Sequence, residues 1–299
     1  MQPKPKLPAT TPNHMLRHTR DWQSLLYMLA LPALVAWQWR YGMHWWLYLP
    51  MLFLTLGISV VHHNHAHLKM WQSRWPNRTT DMWLTLLQGH PGFVFYATHN
   101  ANHHRYHHGL QDAARTYRFG GDHNHLTGYL LHPLHATWAL YPLFGRWLGR
   151  LRRHAPGAFG YCLVQYLLVA VLWGSLALLD WQKWLLLVLL PQLHGLHWLL
   201  ATNYLQHAHA NGNSKIDFAR NFEGTLNPLL FNIGLHTAHH HHGRAHWSTL
   251  PTLHAQYRQR VHPRLNRGGL LPYMFTTFFL GLLLARYQSQ PLMRPTETS

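Results

Sequence analysis

The sequence holds a single cysteine, Cys162, and only eight carboxylates in 299 residues. One cysteine excludes an internal disulfide, a cysteine-built zinc cluster and an iron–sulfur ligand set. Cys162 lies in an apolar run, where it reads as packing. The carboxylates are Asp21, Asp81, Asp112, Asp122, Asp180, Asp217, Glu223 and Glu297. Glu223 is the only glutamate before the C-terminal tail. The glutamate-built di-iron sites of soluble helix bundles are therefore out of reach. No HExxH pair is present, which removes the zinc-protease pattern, and no flavin or dinucleotide fingerprint is present. No repeat at solenoid period and no long linker appears. Residues 1–20 are not expected to be a cleavable leader. They are polar and carry Pro3, Pro5, Pro8 and Pro12, and the apolar stretch that starts near Leu25 lacks a small-residue cleavage site.

What the chain does have is 30 histidines, 15 tryptophans and a formal net charge of +17. Such charge calls for an anionic partner or serves to fix membrane topology. The apolar runs argue against nucleic acid and favour lipid headgroups, an acidic electron carrier or an acyl carrier protein. Four apolar segments stand out: Ser24–Trp39, His44–Val61, Phe159–Leu179 and Trp184–Ala201. A membrane helix needs roughly 17–25 mostly apolar residues. Trp22, Trp37 and Trp39 are placed as interface anchors of the first. Short turns at Arg40–Met43 and Asp180–Lys183 predict two antiparallel hairpins. With the N-terminus inside, 23 of the 25 Lys and Arg fall on the cytoplasmic side, the bias expected of inner loops. Met82–Ala97 and Leu270–Leu284 read as interfacial or re-entrant segments, with a six-span topology as the competing arrangement. The expectation is an all-α integral membrane bundle of about four transmembrane helices plus interfacial helices. It carries a cytoplasmic, histidine-rich metal-binding cap and forms one domain over residues 1–299, with 1–14 and 288–299 disordered.

The histidines cluster just past the ends of segments two and four. The first cluster is His62, His63, His65 and His67, in which His63 and His67 share a face if the helix continues. The second runs through His99, His103 and His104 into His107 and His108. The third is Asn203-Tyr204-Leu205-Gln206-His207-Ala208-His209, and the fourth is His236-Thr237-Ala238-His239-His240, continuing to His242. Imidazole suits iron, copper, zinc and nickel. One zinc needs three or four ligands, so a single zinc leaves too many over, whereas two octahedral-type ions use eight or nine. Either His99 or the overlapping His104-x-x-His107-His108 set completes the second cluster. His62 and His209 also compete as ligands.

This pattern resembles the membrane fatty-acid desaturase and hydroxylase superfamily over roughly residues 24–254. His63-x-x-x-His67 is similar to its first histidine box, His99-Asn100-x-x-His103-His104 to its second and His236-x-x-His239-His240 to its third. Asn203-Tyr204-x-x-His207 is similar to the additional N-Y-x-x-H motif of the alkane-monooxygenase branch. That branch has Glu before the motif histidine and Tyr-Gly after it, where this chain has Gln206 and Ala208-His209. The resemblance implies a nine-imidazole set on His63, His67, His99, His103, His104, His207, His236, His239 and His240.

The resemblance further implies an O2-dependent oxidoreductase with two iron ions, acting on an unactivated C–H bond of a fatty acyl chain. Desaturation leads, with decarboxylation to a terminal alkene or hydroxylation as alternatives. The substrate would be a fatty acid, acyl thioester or lipid. Electrons would come from an external ferredoxin, rubredoxin or b-type cytochrome, docked at Arg146, Arg150, Arg152 and Arg153. Asn64, Asn100 and Asn203, and the carboxylates of Asp112, Asp122, Asp217 and Glu223, are candidates to orient the rings. Asp217 and Glu223 are nearest the fourth cluster in sequence. The setting would be a bacterial inner membrane, with both termini and the site cytoplasmic. Two non-enzymatic readings stay open. One is a haem cytochrome using His194 and His207, and the other is a metal transporter or metal-binding protein.

Overall fold

The computed structural model of the chain describes residues 15–293. The expectations for 1–14 and for 294–299 lie outside the described residues. Near the C-terminal end of the described residues the Leu292 amide donates to the His209 carbonyl and Met293 is buried.

Among the described residues the fold is all-α apart from one two-residue parallel strand pair, β1 (Asn221–Phe222) with β2 (Asn266–Arg267). Helix α1 (Trp22–Tyr41) is followed after a three-residue turn by α2 (Trp45–His67). Gly57 lets the two pack closely, since a Cβ there would sit 2.2 Å from the Tyr27 ring. A third helix, α3 (Arg74–Gln88), ends at Gly89, whose φ of 66° supplies the left-handed stop.

The long segment His62–Ala158, read from sequence as a cytoplasmic loop with one apolar stretch, holds a further long helix, α4 (Leu126–His154). Hydropathy missed it because His132, Pro133, His135, Pro142 and the terminal arginines break the apolar run. Its signal is amphipathic instead: Ala136 and Phe144 are buried, whereas Leu134, Trp138 and Tyr141 are exposed.

Helix α5 (Pro156–Trp184) turns back on itself at Asp180, the one residue there with extended backbone. The Asp180 carboxylate caps the returning arm by accepting from the Lys183 amide, 3.0 Å. A short π-helical stretch leads into α6 (Leu190–His207). Trp173 Nε1 donates to Gln192 Oε1 at 2.8 Å, a contact only an antiparallel hairpin allows. Two stretches are long and apolar enough to cross a membrane, Trp45–His67 and the run Pro156–His207. Three of the four expected segments fall within them, and the first, in α1, does not.

Helix α2 packs on α1 and α6, and α6 also packs on α4. Small groups permit the α2–α6 crossing: the Ser59 hydroxyl lies 3.1 Å from the Gly195 carbonyl and 2.9 Å from Gln88 Oε1. The C-terminal ends of α2 and α6 thereby arrive side by side.

Candidate metal centre

Each histidine cluster takes its geometry from its local helix. His63 and His67 are one α-turn apart at the end of α2, which continues past Val61 to carry both. Tyr96–His103 is a π-helix, and the His104 amide bonds to the His99 carbonyl five residues back. The wider turn puts His99 and His104 on one face and turns His103 to another. His207 is the last residue of α6. Helix α7 (His236–His241) places His236 and His240 one turn apart, with His239 on the neighbouring face.

These rings meet as two groups. In one, His63, His67, His99 and His239 have a ring nitrogen each within 4.8 Å of all the others. His104 joins them, its Nε2 3.0 Å from His239 Nε2. In the other, His103, His207, His236 and His240 meet the same limit. All nine rings expected to act together are therefore brought together, five and four. Adjacent residues serve different groups: His103 faces one and His104 the other.

Hydrogen bonding among the rings does not satisfy them. His239 Nε2 faces both His63 Nε2 and His104 Nε2 at 3.0 Å. His236 Nε2 likewise faces His207 Nε2 and His240 Nε2 at 3.0 Å. An imidazole nitrogen has one in-plane position, for a proton or a lone pair, so each can serve one neighbour at most. The Nε2 atoms of His67, His99 and His103 are buried with no partner at all. Unpaired buried polar atoms are costly, and a cation that draws lone pairs from every ring at once relieves all of them. Five nitrogens in one group exceed the tetrahedral set of structural zinc. Each group could hold one metal ion, with His63, His67, His99, His104 and His239 about one position and His103, His207, His236 and His240 about the other.

Two of the rings have fixed tautomers. His103 Nδ1 donates to Asp112 Oδ2 at 2.7 Å, and His207 Nδ1 donates to the Phe218 carbonyl at 2.7 Å, so both present a bare Nε2. Asp112 is fully buried and also accepts from the His108 and Ala114 amides. Burial pushes its carboxyl up, but the His103 ring and these hydrogen bonds outweigh that and hold it below the usual carboxylate range. Burial, then neighbouring imidazoles, hold His99, His104, His239 and His240 well below their ordinary value, so they are neutral donors at pH 7. Of the four carboxylates singled out by sequence, Asp112 is the one on a ring of the nine. The hydrogen bonds of the others go elsewhere. Asp217 Oδ1 accepts from the His262 amide, Glu223 Oε1 from His254 and Arg258, and Asp122 Oδ1 from the His209 amide.

The amides sit around the groups. Asn203 Nδ2 donates to the Ala114 carbonyl, bracing the Asp112 loop, and lies 3.2 Å from His132 Nε2. Asn100 Nδ2 reaches the Ala66 carbonyl at 3.4 Å. Asn64 shares a small polar pocket with His67 and His239, and its Nδ2 has no partner. Asn102, beside the second cluster, clasps the Asp112 loop through the Gln111 carbonyl and the Ala113 amide. The competing histidines lie outside both groups. His209 turns away with φ 61° to meet Ser289, and His62 stacks on His90. His107 stacks on Phe218, and His108 packs beside Tyr117 and His207. Arg146, Arg150, Arg152 and Arg153 are exposed at the C-terminal end of α4.

A cavity of about 350 Å³ reaches the rings from the helical bundle. Its wall includes His63 and His99 of one group and His103 and His236 of the other. The rest is largely apolar: Val60 and Phe95, then Ala136, Leu140 and Phe144 of α4, then Trp198 and Leu199 of α6. No sequence signal marked Ala136, Leu140 and Phe144, because α4 was not read as a helix, whereas Val60, Phe95, Trp198 and Leu199 lie in apolar segments read from the sequence.

A family model described as fatty acid desaturase matches residues 43–267, three-quarters of the chain. The match takes in all nine rings, Asp112 and α4. No curated protein matches the sequence.

Proposed function

This chain belongs to the fatty acid desaturase family, and on that footing we propose that it is an O2-dependent, di-iron membrane oxidoreductase acting on an unactivated C–H bond of a fatty acyl chain, with desaturation as its reaction. The observation that carries the reading is the apolar cavity whose wall is shared by rings of both imidazole groups. A methylene chain lying there passes both metal positions against a largely apolar wall.

When bound with O2, the iron pair supplies an oxidant able to take hydrogen from a methylene. The chain's own residues do the rest. The nine imidazoles would hold the ions without bringing carboxylate charge. Asp112 keeps the proton of His103 on Nδ1, away from the metal side. Ala136, Leu140, Phe144, Trp198 and Leu199 exclude water and hold the acyl chain by contact, so its position decides which carbons react. Forming a double bond with O2 gives two waters. Two electrons come from the substrate, and two electrons and two protons come from outside. A soluble or membrane-bound electron donor is therefore part of the system.

Exposed Trp22, Trp45 and Trp46 at helix ends suit the headgroup layer. In the topology we favour, α1, α2 and the two arms of the Pro156–His207 hairpin cross a bacterial inner membrane. Both termini and the imidazole cap then lie in the cytoplasm. Expression in a host with defined lipids, followed by gas chromatography of fatty acids and volatiles, tests the reaction. New monounsaturated acyl chains support desaturation. Terminal alkenes or hydroxy acids transfer the same site to decarboxylation or hydroxylation. No O2-dependent product from iron-loaded protein removes the enzyme reading.

A further inference from the structure

The proposed reaction draws two electrons from outside, and the buried rings meet the surface at one place. His240, buried in the four-ring group, lies edge-on to His107, with ring centroids 5.2 Å apart at 89°. His107 is only partly buried and belongs to neither group. Its backbone is left-handed, φ 44°, a conformation rare outside glycine. It stacks on Phe218 at 4.8 Å and 21°. Beyond it, 6.4 Å away, the exposed His241 ring stacks on Tyr257. Behind it, His240 stacks on His104 of the other group at 4.2 Å. A continuous series of rings thus runs from solvent to both groups.

The chain around this opening is basic. Arg105 follows His104 directly, and Arg244 follows Gly243, where a Cβ would lie 3.3 Å from the His104 ring. Phe218, three residues beyond Lys215, packs edge-on against the His241 ring, centroids 5.5 Å apart. Arg105, Lys215 and Arg244 are exposed, and among the described residues none of the three forms an ion pair. The competing basic surface lies elsewhere. Arg152 is eight residues beyond cavity-lining Phe144 on α4, about 12 Å along a helix axis. It continues the exposed apolar stripe of Leu134, Trp138 and Tyr141, a pattern that suits a lipid surface.

Resting on the di-iron reading above, we propose that the surface of Arg105, His107, Lys215, His241 and Arg244 is the docking site of an acidic one-electron carrier protein, with His107 over His240 as the point of entry. Charge complementarity of this kind raises encounter rate and fixes register, and salt weakens it.

The test uses full-length, iron-loaded protein in detergent and a reduced acidic [2Fe–2S] ferredoxin, with oxidation of the ferredoxin followed by stopped flow. Arg105→Glu/Lys215→Glu/Arg244→Glu should raise the half-saturating ferredoxin concentration about tenfold or more and flatten its salt dependence. Reduction of the same variant by dithionite should match wild type. Arg146→Glu/Arg150→Glu/Arg152→Glu/Arg153→Glu should leave ferredoxin saturation unchanged. The proposal is overturned if the second variant loses ferredoxin and the first does not, or if neither does. If dithionite fails to reduce the wild-type protein, or it holds no iron, the di-iron reading itself fails.

Discussion

His104 and His240 stack face to face, centroids 4.2 Å apart and planes 20° apart, yet they serve different imidazole groups. His104 Nε2 points at His239 and His240 Nε2 at His236, each at 3.0 Å. The stacked pair is the seam along which five rings from α2, the π-helix and α7 meet four from the π-helix, α6 and α7. This seam makes the two groups separable by mutation.

His104→Ala and His103→Ala alter adjacent residues but should empty different positions. Each variant should retain about one iron per chain, where wild type retains two, and each should lose acyl product by about 100-fold or more. Mössbauer spectra should show different remaining iron sites in the two variants. Identical residual spectra would contradict the division into groups.

Asp112 acts through His103 and not on substrate. Asp112→Asn keeps the size of the side chain but removes the charge that fixes the His103 tautomer. Loss of a hydrogen-bond partner of this kind lowers metal affinity by about 10–100-fold. Chelator challenge should strip iron from the variant at correspondingly lower chelator concentration, with far-UV circular dichroism unchanged. Equal retention in variant and wild type would remove Asp112 from the positioning role.

Much of this was legible in the sequence, for a physical reason. Histidines at i, i+4 and i, i+3, i+4 spacing are informative because the helix period converts spacing into faces, so His63/His67 and His236/His239/His240 declare themselves. The paucity of carboxylates ruled out the glutamate-based alternative before any geometry was known. The Asp180 hairpin was readable because Asp180, Gln182 and Lys183 interrupt two long apolar runs. What stayed hidden depended on contacts distant in sequence. Nothing local tells Asp112 from Asp217 or Glu223 as the partner of a ring, and sequence proximity to α7 favoured the two that bond elsewhere. Helix α4 was hidden by its own composition: its prolines, histidines and arginines defeat a hydropathy reading, although its buried face lines the cavity.

The cavity predicts a steric test. Ala136 is buried in its wall on α4. Ala136→Phe should fill part of it and shift products toward shorter acyl chains, or abolish them, while iron content stays at wild-type level. Overpacking of this kind costs roughly 1–3 kcal/mol, so folding should survive. A product distribution identical to wild type in gas chromatography would place the acyl chain elsewhere.

Acid should weaken the metal-free protein. Burial first, then neighbouring imidazoles, hold His99, His239 and His240 well below 6.5 in the folded chain. The unfolded chain takes up protons near pH 6.5 that these folded rings refuse. The stability they contribute is present above pH 6.5 and is lost as pH falls below it. Thermal melts of apoprotein should show Tm falling by about 5 °C or more between pH 7.5 and pH 5. A Tm independent of pH over that range would mean that the rings titrate freely.

The central claim is that nine imidazoles hold two iron ions. Iron per polypeptide, measured by plasma mass spectrometry on active protein from iron-replete cells, tests it most directly. The account predicts two irons per chain and negligible zinc and copper. Active protein with no iron, or with a single zinc or a haem in its place, would contradict it.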